Sequence, residues 1–252
     1  MGSKVPAYDR MGVGYTEVRR ADPRIEARIH AALGDARVVL NVGAGAGSYE
    51  PRDREVIAVE PSPVMIAQRP ADAARAIQGV AEALPLEDDS VDATMGVFTM
   101  HHWDDVGRGL AEVCRVTRDR LAFVTLDLDV TAEMWLCRDY LPEIVEHDRR
   151  VFPMIERLEA LLPNLRVEPL SVPAGCTDGF CIALWDRPEA HLDPDVRRSS
   201  SIWHQLPEDV TARGLGRLRR DLASGEWDRR HGELRTGEEL DVGLRLVTAE
   251  LH

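Results

Sequence analysis

The stretch Val38-Val39-Leu40-Asn41-Val42-Gly43-Ala44-Gly45-Ala46-Gly47-Ser48 decides the fold. An apolar run with strand character passes directly into three alternating glycines. Glycines at the carboxyl end of a strand allow positive φ and remove Cβ atoms, so a ligand can lie against backbone N–H groups. In open α/β sheets such a loop sits in the crevice beyond the strand ends, where nucleotides bind. Seventeen positions after Gly43, closing the next apolar run Val56-Ile57-Ala58-Val59, stands Glu60. A carboxylate there can accept both hydroxyls of a ribose in charge-assisted hydrogen bonds worth roughly 1.5–3 kcal/mol each.

The spacing separates two kinds of nucleotide ligand. A dinucleotide fingerprint, G-x-G-x-x-G/A, would place its third small residue at Ser48, yet the third glycine arrives one position early at Gly47. Only Ser48–Arg54, with Pro51 inside, lies before the next strand, too short for a full helix whose N-terminus would hold a pyrophosphate. The loop itself carries no Lys or Arg to neutralise one. A dinucleotide-dependent oxidoreductase is therefore the competing reading, and a phosphate-poor nucleoside ligand fits better.

Outward from this segment, short apolar runs at Arg37–Val42, Glu55–Val59, Ala76–Gly79, Val91–Phe98 and Arg120–Asp127 alternate with helical patterns. Their nearly continuous apolar character predicts strands covered on both faces, hence a mostly parallel sheet built of βαβ units. Ser62-Pro63 reads as an N-cap with proline in the first turn, and Trp103–Val116 as an amphipathic helix. Gly107 and Gly109 weaken that helix by about 1 kcal/mol each relative to alanine. Further on, Met134–Arg149, Pro153–Leu162 and Glu208–Ala223 read as helices and Leu165–Val172 as a strand. Strict alternation over Asp241–Ala249 predicts an edge or antiparallel strand with one wetter face.

Composition narrows the class. The chain has 252 residues, 44% hydrophobic and 30% charged, and a formal charge of −13. That length buries a sizeable core, and the apolar runs stop short of the ~18–20 residues that span a bilayer. Met1–Pro6 lacks the apolar core of a secretory signal. The acidic balance disfavours a sequence-independent grip on a phosphate backbone, and no membrane partner is expected. Cys114, Cys137, Cys176 and Cys181 form no C-x-x-C pair, so they read as free thiols in a reducing, cytoplasmic setting with no metal site.

Downstream of Glu60 the chain runs Gly79-Val80-Ala81-Glu82-Ala83-Leu84-Pro85-Leu86-Glu87-Asp88-Asp89-Ser90-Val91-Asp92-Ala93 and then Met95-Gly96-Val97-Phe98-Thr99-Met100-His101-His102-Trp103. With the glycine loop and Glu60, this order resembles the class I S-adenosylmethionine-dependent methyltransferases of the ubiquinone-methyltransferase-like kind, over Tyr8 to about Asp127. The resemblance implies a Rossmann-like, doubly wound α/β fold whose mostly parallel seven-stranded sheet has its last strand antiparallel. A helical lid would be inserted near the C-terminus. One methyltransferase domain over 1–252 is expected: a cap over 1–30, a cofactor-binding half over 31–130, and a completing half over 131–252 with the lid at about 173–235.

The same resemblance implies roles. Gly43, Ala44, Gly45 and Gly47 would present backbone to the methionine and ribose of S-adenosylmethionine, with Glu60 on the ribose and Pro61, Ala81 and Glu82 at the adenine. Phe98 would line the sulfonium pocket, and Tyr15 and Arg19 would close over the cofactor. Asn41 stands where the family usually carries Asp; an amide can bridge backbone groups but cannot neutralise the cofactor's ammonium.

Methyl transfer from a sulfonium needs alignment and a desolvated acceptor, and orientation alone supplies ~7–11 kcal/mol. A base matters only when the acceptor's proton has too high a pKa. His101 and His102, just past the fourth strand, are the candidate catalytic bases. The acceptor is expected to be a small molecule, met on an O, N or C atom. A protein that binds the donor without transferring its methyl group is the other alternative.

Overall fold

A computed structural model of the chain describes residues 20–162, 164–198 and 200–251. Seven strands form one sheet in the order β3-β2-β1-β4-β5-β9-β6. They are β1 (Val38–Val42), β2 (Glu55–Glu60), β3 (Ala76–Gln78), β4 (Val91–Val97), β5 (Thr117–Leu126), β6 (Arg166–Pro169) and β9 (Leu244–Glu250). β7 (Val172–Pro173) and β8 (Glu239–Leu240) pair separately. β1 through β5 are parallel, and β9 runs antiparallel to both β5 and β6. The strand order reverses at β1, which has β2 on one side and β4 on the other. That reversal opens a crevice at the carboxyl ends of β1 and β4.

The strands read as continuous apolar runs because both faces are covered. Leu121 and Phe123 of β5 pack in one cluster with Val106, Leu110 and Val113 of the helix Val106–Val116. Ala122 and Val124, pointing the other way, join Ile25 and Ile29 of the helix Pro23–Ala32 in a second cluster with Trp135, Trp185 and Trp227. The period of two along a strand divides the two cores. Between β7 and β8 the chain is helical, its longest element being Glu208–Ser224, which ends on Gly225 at φ 76°.

Four expectations change. The strand near the C-terminus is antiparallel, but it lies between β5 and β6, and only its end is wet. Arg245, which suggested the wet face, is buried there because Asp127 Oδ2 at 3.0 Å and Asp241 Oδ1 at 2.7 Å pair with it. The predicted helix Met134–Arg149 is broken: a π-helical turn spans Leu136–Tyr140, and helix resumes at Glu143–Asp148. Pro142 explains the break, since proline disfavours helical backbone in the residue before it, and Leu141 sits at φ −140°, ψ 64°. The single strand over Leu165–Val172 is two short ones: Leu170 N still donates to Leu244 O of β9, and Val172 then pairs with Leu240 of β8 instead. Finally, helix does not begin at Trp103 but at Val106, capped by the Asp105 carboxylate accepting from Arg108 N, so His101 and His102 lie on a preceding 3₁₀ turn, Met100–His102. Gly109 has a use in that helix: a Cβ there would run into the Trp103 indole, which donates from Nε1 to Thr99 Oγ1 at 3.1 Å.

Candidate active site

The glycine loop is left-handed at all three glycines, with φ of 67° at Gly43, 51° at Gly45 and 93° at Gly47. The strand end is pinned where Gly43 N and Ala44 N both donate to Val59 O. A Cβ at Gly43 would fall on the side chain of Thr99, so bare backbone at this position lets the end of β4 close against the loop. Gly45 is different: a Cβ there would meet only the Met65 methyl, at 3.5 Å, so a face of backbone is left clear. Glu60 is buried at the end of β2, and its two carboxylate oxygens accept from Gly45 N and Ser62 N, each at 2.8 Å. Those amides orient the carboxylate beside the clear backbone. The loop thus presents main chain on one side and an oriented carboxylate on the other.

Asn41 is buried beneath the loop and donates from Nδ2 to Glu50 Oε1 at 3.0 Å. Glu50 in turn pairs with Arg69 at 2.7 Å, both side chains almost wholly buried. Arg69 Nη1 also donates to the carbonyls of Ala44 and Gly45, at 3.4 and 3.1 Å. The loop contains no cation, yet one reaches it from past the helix Pro63–Ala67. Asn41 therefore works as a neutral link to a carboxylate–guanidinium pair that braces the loop from behind. Sequence reasoning found neither Glu50 nor Arg69, because nothing in their spacing marks them. Beside them Tyr49, at φ 63°, donates to Asp178 Oδ2 at 2.9 Å and ties the loop to the segment before Phe180.

The remaining expected residues fall as follows. Pro61 follows Glu60 on the crevice rim, and its carbonyl accepts from Gln78 Nε2 at 3.2 Å. Ala81 is buried. Glu82 turns its carboxylate to Asp105 N at 3.1 Å and its carbonyl to Arg108 Nε, bracing the helix Val106–Val116. Tyr15 and Arg19 lie outside the described residues.

Phe98 ends β4 at φ 52°, a conformation that non-glycine residues rarely adopt and that marks sites where backbone strain is held for a purpose. Its ring lies 5.2 Å from that of Phe180. Beyond it opens a cavity of about 270 Å³, walled chiefly by Phe98, Ile144, Phe152, Phe180 and Ile182, with His101, His102, His147, Asp148, Ser200, Ser201 and Gln205 as polar members. The His101 ring stacks on Phe152 at 4.1 Å and stands 3.8 Å from the ring of His102. Its Nδ1 is buried with no hydrogen-bond partner among the described residues. Burial, then the neighbouring His102 and His147, hold His101 well below the usual imidazole range, so it is neutral at pH 7. Trp135 and Tyr140 are core residues, whereas Asp127 and Asp129 pair with Arg245 and Arg149. Among the cavity residues that sequence reasoning missed are Ile144, Asp148, Phe152 and Ile182.

With this geometry in view, the comparisons with known proteins agree. A family model described as a methyltransferase domain matches residues 40–124. The crystal structure of a candidate methyltransferase from an antibiotic biosynthesis pathway of Anabaena variabilis is 32% identical, with a TM-score of 0.84 over 92% of this chain and 98% of that one. An uncharacterized methyltransferase of Mycobacterium tuberculosis is 38% identical over 123 residues, 46% of this chain and 47% of its own. The aligned part thus spans about half the length of such curated relatives. The YcgJ protein of Bacillus subtilis, at 21% identity and a TM-score of 0.52, shares the fold. The class is that of Rossmann-like α/β methyltransferases. Within it, the chain belongs to the class I S-adenosylmethionine-dependent methyltransferases, whose cofactor is S-adenosylmethionine.

Proposed function

We propose that this protein transfers a methyl group from S-adenosylmethionine to a small, largely apolar molecule seated in the Phe98–Phe152 cavity. The observation that carries the reading is the contact of Gly43 with Thr99: it sets the donor loop against the end of β4, one residue from the cavity wall at Phe98. When bound, the cofactor supplies a methyl group on a sulfonium, open to in-line attack. The chain's residues do the rest. The backbone of Gly43, Ala44, Gly45 and Gly47 receives the methionine and ribose, Glu60 accepts the ribose hydroxyls, and Pro61, Ala81 and the main chain at Glu82 flank the adenine. Phe98, Phe152 and Phe180 exclude water and align the acceptor, which is the larger part of catalysis for a displacement of this kind. His101, neutral and with no described partner at its buried Nδ1, orients the acceptor by receiving a hydrogen bond where the acceptor is a hydroxyl or amine, with His102 behind it.

The helical segment over 173–235 acts as the lid, since Phe180 and Ile182 come from it. The pathway named for the Anabaena neighbour, antibiotic biosynthesis, supports a small-molecule acceptor. Net charge of −13 weighs against nucleic acid, and four free cysteines suit a cytoplasmic setting. No helix among the described residues is long and apolar enough to cross a membrane.

The test is calorimetry with S-adenosylhomocysteine. Glu60→Gln keeps one acceptor oxygen and should bind at least tenfold more weakly, about 1.4 kcal/mol, with an unchanged circular dichroism spectrum. Undiminished affinity would put the ribose elsewhere. Incubation of the wild type with radiolabelled donor and cell extract should label a small product, and no label would favour a donor-binding protein without transfer.

A further inference from the structure

Among the polar groups of the acceptor cavity, Asp148 stands apart. It is the last residue of the helix Glu143–Asp148, where its carbonyl receives Phe152 N at 2.8 Å, and only 9% of the residue is exposed. Asp148 lines the cavity, and no donor among the described residues reaches its carboxylate. Most buried carboxylates are paired, because an ionised group taken out of water without a partner is costly. Elsewhere among the described residues that rule holds: buried Glu50 has Arg69 and buried Asp22 has Arg24.

The described neighbours offer no counter-charge. From the 3₁₀ turn after β4 come His101 and His102, and from its own helix His147; burial lowers the proton affinity of each, with Arg150 also acting against a second charge at His147. Arg149, next in sequence, is turned to Asp129 at 2.6 Å. From the π-helical turn and the segment after Phe180 come Cys137 and Cys181, whose thiols are pushed up by burial and further by the charge of Asp148, and so remain neutral. Left alone in this surrounding, Asp148 itself is pushed up to about 7 by burial. Among the described residues the cavity wall is thus largely apolar, with neutral histidines, thiols and the uncharged Ser200, Ser201 and Gln205, and Asp148 is its one carboxylate without a counter-charge.

We propose that the cavity takes an apolar molecule bearing a protonated amine, with the Asp148 carboxylate as its counter-ion. This rests on reading the cavity as the acceptor's site and adds the charge of the acceptor to it. A hydroxyl would leave the carboxylate's charge uncompensated, and a carboxylate ligand would meet it with like charge. An ammonium forms a desolvated, charge-assisted hydrogen bond with it. Asp148 acts here as a specificity-determining residue and need not touch the atom that is methylated.

The experiment is calorimetry on the full chain saturated with S-adenosylhomocysteine, using three probes of one shape: 2-phenylethylamine, 2-phenylethanol and phenylacetate. At pH 8 the amine should bind at least tenfold more tightly than the alcohol, and phenylacetate should not bind measurably. At pH 6 the preference for amine over alcohol should fall about tenfold, since Asp148 then holds its proton. Asp148→Asn should abolish the preference and keep the alcohol's affinity. Equal affinity for amine and alcohol, a preference unchanged between pH 6 and 8, or no binding of any probe would overturn the proposal, and the wild-type pH comparison stands even if the variant misfolds. The S-adenosylhomocysteine titration that precedes the probes reports separately on the methyltransferase reading: its failure, with the amine preference intact in protein alone, would overturn that reading and leave the counter-ion.

Discussion

Removing the Asp148 carboxyl charge should change how stability depends on pH, by an amount that follows from its burial. The group goes from an ordinary 3.8 to about 7 on folding. A carboxyl raised in this way binds its proton more tightly in the folded state, so its favourable contribution is complete below 3.8 and is lost as pH rises through 7. Between pH 5 and pH 8 the linkage integral comes to about 2–3 kcal/mol of lost stability. The buried histidines act in the opposite sense. His101, His147 and His191 are held low in the folded state, so unfolding is favoured as the medium falls below about 6.5 and they charge when exposed.

The wild type should therefore gain stability as pH rises towards about 7, where the histidines are neutral in both states, and Asp148→Asn should gain more over the same range because it lacks the opposing carboxyl. The difference between the two proteins cancels the histidines and isolates the one carboxyl. Urea unfolding followed by tryptophan fluorescence reads it directly, because Trp135, Trp185 and Trp227 are all buried. The midpoint of the wild type should fall relative to the variant by the equivalent of about 2–3 kcal/mol between pH 5 and 8. Parallel profiles for the two proteins would mean that water solvates this carboxylate freely, and the burial argument for the cavity would fail with them.

Two further outcomes concern the donor loop. Asn41→Asp, which restores the residue usual in the family, should weaken the protein: it sets a second carboxylate about 3 Å from Glu50 with only Arg69 to serve both. A loss of about 1–3 kcal/mol, seen as a melting temperature lower by several degrees, is expected, and a higher melting temperature would refute the bracing role of the pair. Gly43→Ala combines a left-handed φ with a Cβ driven onto Thr99, so it should cost about 2–4 kcal/mol and abolish S-adenosylhomocysteine binding; tight binding by a folded variant would show that β4 need not close on the loop.

The loop at Gly43–Gly47, the acid at Glu60 and the parallel apolar strands were legible in the sequence because each is a local demand. Positive φ calls for glycine, a buried parallel strand calls for an unbroken apolar run, and a strand-end carboxylate has a fixed offset from the loop. Helix Glu208–Ser224, expected over Glu208–Ala223, was legible for the same reason, through its period. The break at Pro142 was also written locally, but the helical pattern on either side masked it.

Other features depend on residues far apart in the chain meeting in space. Arg69 reaches the carbonyl of Gly45 from 24 positions away, and Tyr49 reaches Asp178 from 129. Arg245 looks like a solvent-facing residue by alternation and is buried only because Asp127 and Asp241 converge on it. Asp148 reads as an ordinary polar residue near a helix end; what makes it unusual is that no cation among the described residues stands in the walls that fold around it. The chain alone thus determined the backbone that a nucleoside would lie against, since conformational preference acts between neighbours. Which charges are paired, and which one is left facing the acceptor cavity, only tertiary structure decided, since desolvation and pairing are set by whatever the fold brings within a few ångströms.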